Sequence, residues 1–370
     1  MTITPTPREA IKTGGSGHSL LMGGVIVIAL VLYSAYWLYV SHSLRKALET
    51  QQTLGRIGEV TIGWDQLRMG GFPYRIEARL TAPRASAPQS PEKWSWDAGK
   101  LIAELLPYDP RHVVLKIEGA QDITYTDVTR FPPAPQHWHI ETNGSWASHV
   151  AVEGSSVGRL ALDIDELRAT RDTKSGPTPA DSFRAGRLQL HTRPAQSTGG
   201  DKEASRDSLD FALQGDDVST DTFGALPFLG PRLTQFVVQA RLRHVPGDGE
   251  PSPTRWMKSW AMNNGSLAIS DLLVKWGPLD MSASGELTLD AHRRPQGRLD
   301  AEIANYGDLV NALVDAGRIS KRDASLALAG LGLVSQFQGN DDGRLNVPVI
   351  FAEGRLYLGP MVVARLEPLF

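Results

Sequence analysis

The stretch GELTLDAHRRPQGRLDAEI, running from Gly285 to Ile303, decides the fold. Leu287, Leu289 and Ala291 alternate with Thr288 and Asp290, the two-residue period of a strand with one apolar and one wet face. A turn over Arg293-Arg294-Pro295-Gln296-Gly297 is expected, and the period resumes in Leu299, Ala301 and Ile303, separated by Asp300 and Glu302. Two antiparallel strands follow, with Leu287, Leu289, Leu299 and Ile303 on a shared apolar face. The opening phrase, a glycine followed by one residue and a leucine, recurs at Gly158, Gly186, Gly265, Gly297, Gly343 and Gly354. Its irregular spacing excludes a fixed-period solenoid. In each copy the glycine is read as the positive-φ residue that closes a turn, and the leucine as the start of the next buried row.

Outward from this hairpin the same period fills most of the chain. Val60, Ile62 and Trp64 alternate with polar or small residues, and Phe72, Tyr74, Ile76, Ala78 and Leu80 do so after Gly70-Gly71. Trp94 to Leu106 has a helical composition, but Gly99 interrupts it and Pro107 ends it, so short strands are expected. Strand patterns continue at His112 to Glu118, Asp122 to Tyr125, Trp138 to Glu141, Trp146 to Val152, Leu160 to Asp165, Gly186 to His191, Leu209 to Gln214 and Gln235 to Arg243. Thr170 to Asp181, Thr192 to Ser208 and Pro246 to Pro253 read as long hairpin loops. Helical stripes are expected at Asn305 to Ala316, at Ile319 to Leu333, and at Thr254 to Met262, where Trp256 and Trp260 share a face. Leu345 to Phe351 and Gly354 to Leu358 close the chain as a hairpin.

Ahead of this body, Leu20 to Val40 contains no charged side chain. At about 1.5 Å per residue these 21 residues reach roughly 30 Å, the thickness of a bilayer's hydrocarbon core. Tyr33, Tyr36, Trp37 and Tyr39 crowd its second half, where amphipathic rings sit at headgroup level. Signal-peptide h-regions are shorter and end in small residues, so a retained anchor is expected. Residues 1–19 read as a disordered tail, 20–40 as a transmembrane anchor, 41–57 as a helical stalk and 58–370 as a β-rich body. Arg8 and Lys12 before the span are balanced by Arg45, Lys46 and Arg56 after it; export of the large body is expected nonetheless.

Composition removes several functions. A net charge of -3 provides no basic field for a phosphate backbone, so nucleic acid is not an expected partner. The absence of cysteine excludes disulfides, thiolate catalysis and thiolate metal sites. Gly154-Ser155-Ser156-Val157-Gly158 matches a nucleophile elbow, yet the sequel from Arg159 is a strand where the elbow requires a helix. His137 and His139 lie on one face of a strand with His149 as a conceivable third ligand, but solvent-facing histidines are the plainer reading. Asp163 and Asp165 could pair as acid and base; a solvated strand face is the default. Asn340-Asp341-Asp342-Gly343 lacks the distal glutamate of a calcium loop and reads as a turn. No catalytic residue, metal ligand or cofactor site is expected.

Gly71-Phe72-Pro73-Tyr74-Arg75, the run from Trp94-Ser95-Trp96-Asp97-Ala98 through Leu106-Pro107-Tyr108-Asp109-Pro110-Arg111-His112-Val113, and the ending from Val347-Pro348 through Glu353-Gly354-Arg355-Leu356-Tyr357-Leu358-Gly359-Pro360 resemble the alphaproteobacterial family called domain of unknown function 2125. That family is in turn similar to the AsmA-like proteins of the bacterial inner membrane. The resemblance implies a curved sheet with an apolar lining, associated with lipid movement, and supplies no catalytic residue. The expected protein is therefore mainly β: a transmembrane helix, then a curved antiparallel meander with two or three short helices packed on it. It would be an inner-membrane, single-pass protein with a periplasmic body, not an enzyme; a hydrolase using Ser156 or the His137 and His139 pair is the least expected reading. Leu287, Leu289, Leu299 and Ile303 would line a lipid groove if the sheet is open, or the core of a closed sandwich for an envelope-protein partner if a second sheet covers them.

Overall fold

The computed structural model describes residues 16–129, 131–150, 158–171, 182–195, 207–220, 227–247, 250–322, 324–325, 344–359 and 361–370. Ser155, Ser156, the turn at Asn340 to Gly343, most of the N-terminal tail and most of Ile319 to Leu333 lie outside these residues. Helix α1 (Ser16–Leu54) is a single helix of 39 residues that joins the apolar span to the stalk without a break. Its apolar stretch has no proline, and its side chains from Val25 to Leu32 are bare of protein contacts that would bury them. From Tyr33 onward it lies against the body. Tyr33 Oη donates to the Pro73 carbonyl, Tyr36 Oη to the Pro107 carbonyl at 2.9 Å, and Trp37 Nε1 to the Arg75 carbonyl at 2.9 Å. Lower down, Gln52 Nε2 reaches the Trp64 carbonyl at 2.8 Å.

The described residues of the body form one antiparallel sheet of 19 strands. It opens with the short strands β1 (Arg56–Ile57), β2 (Val60–Gly63), β3 (Gln66–Gly70), β4 (Ile76–Thr81) and β5 (Arg84–Ser86). Next come β6 (Ser95–Leu106) and β7 (Asp109–Asp127), which pair along most of their length. The segment from Trp94 is thus strand, and the two patterns expected at His112 and Asp122 are one strand of 19 residues. A register shift at Gly99 and Gly119 bends it, which is why its periodicity reads as two pieces. Strands β8 (Ala134–Glu141) and β9 (Gly144–Val150) lie end to end between β7 and β10 (Arg159–Arg171). From there β11 (Ser182–Pro194), β12 (Ser208–Thr220), β13 (Arg232–Arg243), β14 (Ser266–Trp276), β15 (Leu279–Leu289), β16 (Pro295–Ala304), β17 (Arg344–Ala352), β18 (Arg355–Leu358) and β19 (Met361–Arg365) pair in chain order. Two helices interrupt this meander: α2 (Pro253–Met262) between β13 and β14, and α3 (Tyr306–Asp315) after β16.

The hairpin that opened the sequence reading is present, but its turn falls earlier than expected. Leu289 pairs with Pro295, so the reversal occupies Asp290 to Arg294 and Ala291 is in the turn, not on the strand. Asp290 sets this. Its Oδ1 accepts from the backbone N–H of His292 at 2.8 Å and of Arg294 at 2.9 Å, the local pattern by which aspartate builds a turn. Gly285 and Gly297 are accordingly inside strands, opposite Leu299 and Leu287. A Cβ on Gly285 would stand 2.2 Å from the Arg298 carbonyl oxygen, and one on Gly297 2.2 Å from that of Glu286. These glycines let neighbouring backbones approach so that each facing leucine covers the gap, which corrects their reading as turn closers. Gly354, with φ 70, does close a turn.

The sheet does not lie flat. Ser252, the residue capping α2, donates through Oγ to Glu92 Oε1 at 2.9 Å, and the Thr254 N–H donates to the same oxygen at 3.0 Å. Trp94 Nε1 donates to the Pro251 carbonyl at 2.9 Å. Glu92 precedes β6 and α2 follows β13, six strand spacings away, about 29 Å on a flat sheet. The connections before β6 and after β13 meet across that span, and the twist of the sheet shortens the distance they bridge. Burial pushes the Glu92 carboxyl up, but the bonds from Thr254 and Ser252 outweigh it and hold its pKa below the usual glutamate range.

Candidate functional site: the apolar face of the sheet

Directly opposed residues of antiparallel strands share a face, so the register defines each side of the sheet. One row reads Ile76, Leu105, Val113, His149, Leu160, Thr192, Phe211, Ala240, Ile269, Gly285, Leu299, Val349, Leu358. It crosses 13 strands, about 58 Å along the sheet at the usual strand spacing. Only His149 and Thr192 carry a polar side chain. The neighbouring row repeats the pattern with Ala103, Leu115, Ala147, Leu162, Leu190, Leu213, Val238 and Leu272.

Toward one end, Glu166 (φ 48) and Asp217 (φ 51) interrupt β10 and β12 at matching levels. Beyond them Leu167, Ala185, Val218 and Leu233 take up the apolar side and pack with Leu188, Phe236 and Val274. The irregularities therefore keep the lining apolar through the twist, a role that bulges serve in curved sheets.

Shelter varies along this face. In β16 and β17, Leu299, Ala301, Ile303 and Leu345 are each 2 % exposed. Here α3 lays Leu309 and Leu313 over Ile303, with Leu229 from the short turn Pro227–Leu229 beside them. Leu287, Leu299 and Ile303 are on the sheltered side, as is Leu289 by its pairing with Pro295. From β7 to β13, by contrast, Val113, Leu160, Leu162, Leu188, Leu190, Phe211, Leu213 and Val238 are only half-buried. All described strands belong to one sheet, so among the described residues no second sheet lies over this part.

The opposite face is charged. Lys100 pairs with Glu118 at 2.8 Å, Lys116 with Glu104 at 3.0 Å, Arg241 with Asp210 at 2.7 Å and Arg298 with Asp300 at 2.9 Å. A shallow groove of about 860 Å³ crosses this side from β7 to β14, lined among others by Arg159, His191, Asp210 and Arg241. Asp163 and Asp165 belong to this side too. Asp163 is not solvated: Arg187 grips it with Nε on Oδ1 at 3.0 Å and Nη2 on Oδ2 at 2.5 Å, and Gln189 adds a bond at 2.9 Å. The Arg187 guanidinium holds its carboxyl below the usual aspartate range. Asp165 is exposed, with Arg187 at 3.7 Å, so the two carboxylates share one cation.

His137 and His139 flank Asp122, whose Oδ1 is 2.9 Å from His139 Nδ1 and 3.9 Å from His137 Nε2. That carboxylate hydrogen bond raises the His139 pKa. His149 pairs with Val113, while His137 pairs with Thr124, eleven residues along β7 and so about 36 Å away. The three histidines cannot share one ion, and among the described residues no cluster of His, Asp and Glu has metal-site geometry. Sequence reading missed the Glu92 and Asp163 anchors. Each depends on partners far along the chain, and only the alternation placing Asp163 opposite Gln189 hinted at the second.

Among the described residues one helix is long and apolar enough to cross a membrane, and the body it carries is a large antiparallel sheet. Within that class the chain belongs to a bacterial family described as uncharacterized protein conserved in bacteria, DUF2125, whose model matches residues 37–367. No curated protein and no solved structure matches it.

Proposed function

We propose that this is a membrane-anchored, non-catalytic protein of the bacterial cell envelope that binds the acyl chains of lipid along the apolar face of its sheet. The carrying observation is the half-buried apolar lining from β7 to β13, continuous with the sheltered rows of β15 to β17. An apolar strip this long is too large to leave to water, since patches on monomeric proteins rarely exceed a few hundred Å². Extended acyl chains match it in chemistry and in shape. The AsmA-like resemblance, a likeness of fold type alone, supports an anchor in the inner membrane and a body in the periplasm. The test is to purify the full chain in mild detergent, exchange it extensively, and extract it for lipid mass spectrometry. Phospholipid retained in stoichiometric amount supports the proposal. A stable, lipid-free protein refutes it, and leaves an envelope-protein ligand as the occupant to seek.

A further inference from the structure

The helix α1 and the body meet at a level that a bilayer must also occupy. Of the uncharged span, Leu20 to Leu32 is 13 residues long and reaches about 20 Å, some 10 Å short of a hydrocarbon core, and its side chains from Val25 to Leu32 are exposed. The rest of the uncharged span is Tyr33 to Val40, the segment docked on the body through Pro73, Arg75 and Pro107. The loops holding those acceptors carry large, outward aromatic side chains. Phe72 is 55 %, Tyr74 82 % and Tyr108 74 % exposed, and the Phe72 ring meets Trp37 edge-on at 5.4 Å. Three exposed aromatics within two turns, beside the aromatic half of an apolar helix, match the belt that membrane proteins place at headgroup level.

We propose that the loops Gly71 to Arg75 and Pro107 to Tyr108 enter the headgroup and upper acyl layer of the leaflet from which α1 emerges, with Phe72, Tyr74 and Tyr108 as anchors. The partner is a phospholipid bilayer, and the inference rests on the part of the proposed function that has α1 crossing a membrane. Its consequence is geometric. Ile76, fully buried at the first position of β4, and Leu105, one residue before the second loop turns, begin the apolar row. The apolar face would then open directly at the bilayer surface, with no aqueous gap.

The cysteine-free chain makes the test direct. Four full-length single-cysteine variants, Ile28→Cys, Tyr74→Cys, Tyr108→Cys and Asp300→Cys, are labelled with an environment-sensitive fluorophore and reconstituted into phosphatidylcholine and phosphatidylglycerol vesicles containing nitroxide lipids. Circular dichroism matching the parent chain shows that each has folded. The expected result is loss of most emission at 28, 74 and 108 and none at 300, with 74 and 108 quenched more by a shallow nitroxide than by a deep one. If 28 is quenched while 74 or 108 behaves like 300, the loops stay outside the bilayer and the inference fails although the anchor stands. If 28 is also unquenched, the membrane reading itself falls.

Discussion

Gly285 shows how single residues hold the sheet's shape. Its absent side chain leaves room for the Arg298 carbonyl and the Leu299 backbone, the latter 2.9 Å from where a Cβ would stand. Gly285→Ala should therefore lower stability by about 1–3 kcal/mol, as overpacking does in a filled core. Gly144→Ala, where a Cβ would meet nothing within 4 Å, should change it by less than about 0.5 kcal/mol. Urea midpoints at unchanged slope read both. Asp163 makes the complementary electrostatic case. Its folded pKa is depressed, chiefly by the Arg187 hydrogen bond, so the contribution is complete above the ordinary aspartate range and is lost as pH falls through the lowered folded value. Asp163→Asn should cost about 1–3 kcal/mol at pH 7 and flatten the fall in stability below about pH 4, measured by unfolding across a pH series.

At the level of elements, α2 is the clasp between distant parts of the sheet. Glu92 receives two hydrogen bonds from its first turn, and Arg255 reaches Glu59 at 3.1 Å. Glu92→Ala should free α2 and the Ala87 to Trp94 loop together, raising amide hydrogen exchange in both while β10 to β12 keep their protection. The stabilisation from Glu92 is present at neutral pH and lost on acidification through its lowered pKa. Strands of this kind were legible from sequence because their alternation is local: β12, β13, β15 and β17 follow it closely. Turn positions were less legible. Asp290, by bonding two N–H groups, moved a reversal away from the glycine expected to form it, and Gly119 hid one long strand as two. The clasp was invisible, since nothing local marks Glu92 and Ser252, 160 residues apart, as neighbours.

For the whole molecule, a helix of 39 residues and one sheet divide the chain into a part suited to hydrocarbon and a part with one oily side. Of the four residues expected to line that side, Leu299 and Ile303 are buried, while Leu287 and Leu289 are half-buried. A half-buried stretch runs between β7 and β13, where long segments read as loops separate the strand patterns. The proposed lipid contact therefore falls on Leu162, Leu190, Leu213 and Val238, which are half-buried. The most direct measurement places a photo-crosslinking amino acid at Leu213, and at its neighbour Gln214 on the charged face, in cells grown with the full-length protein. The account predicts a lipid adduct at 213 and none at 214. Equal labelling at both, or adducts to protein alone at 213, would contradict it.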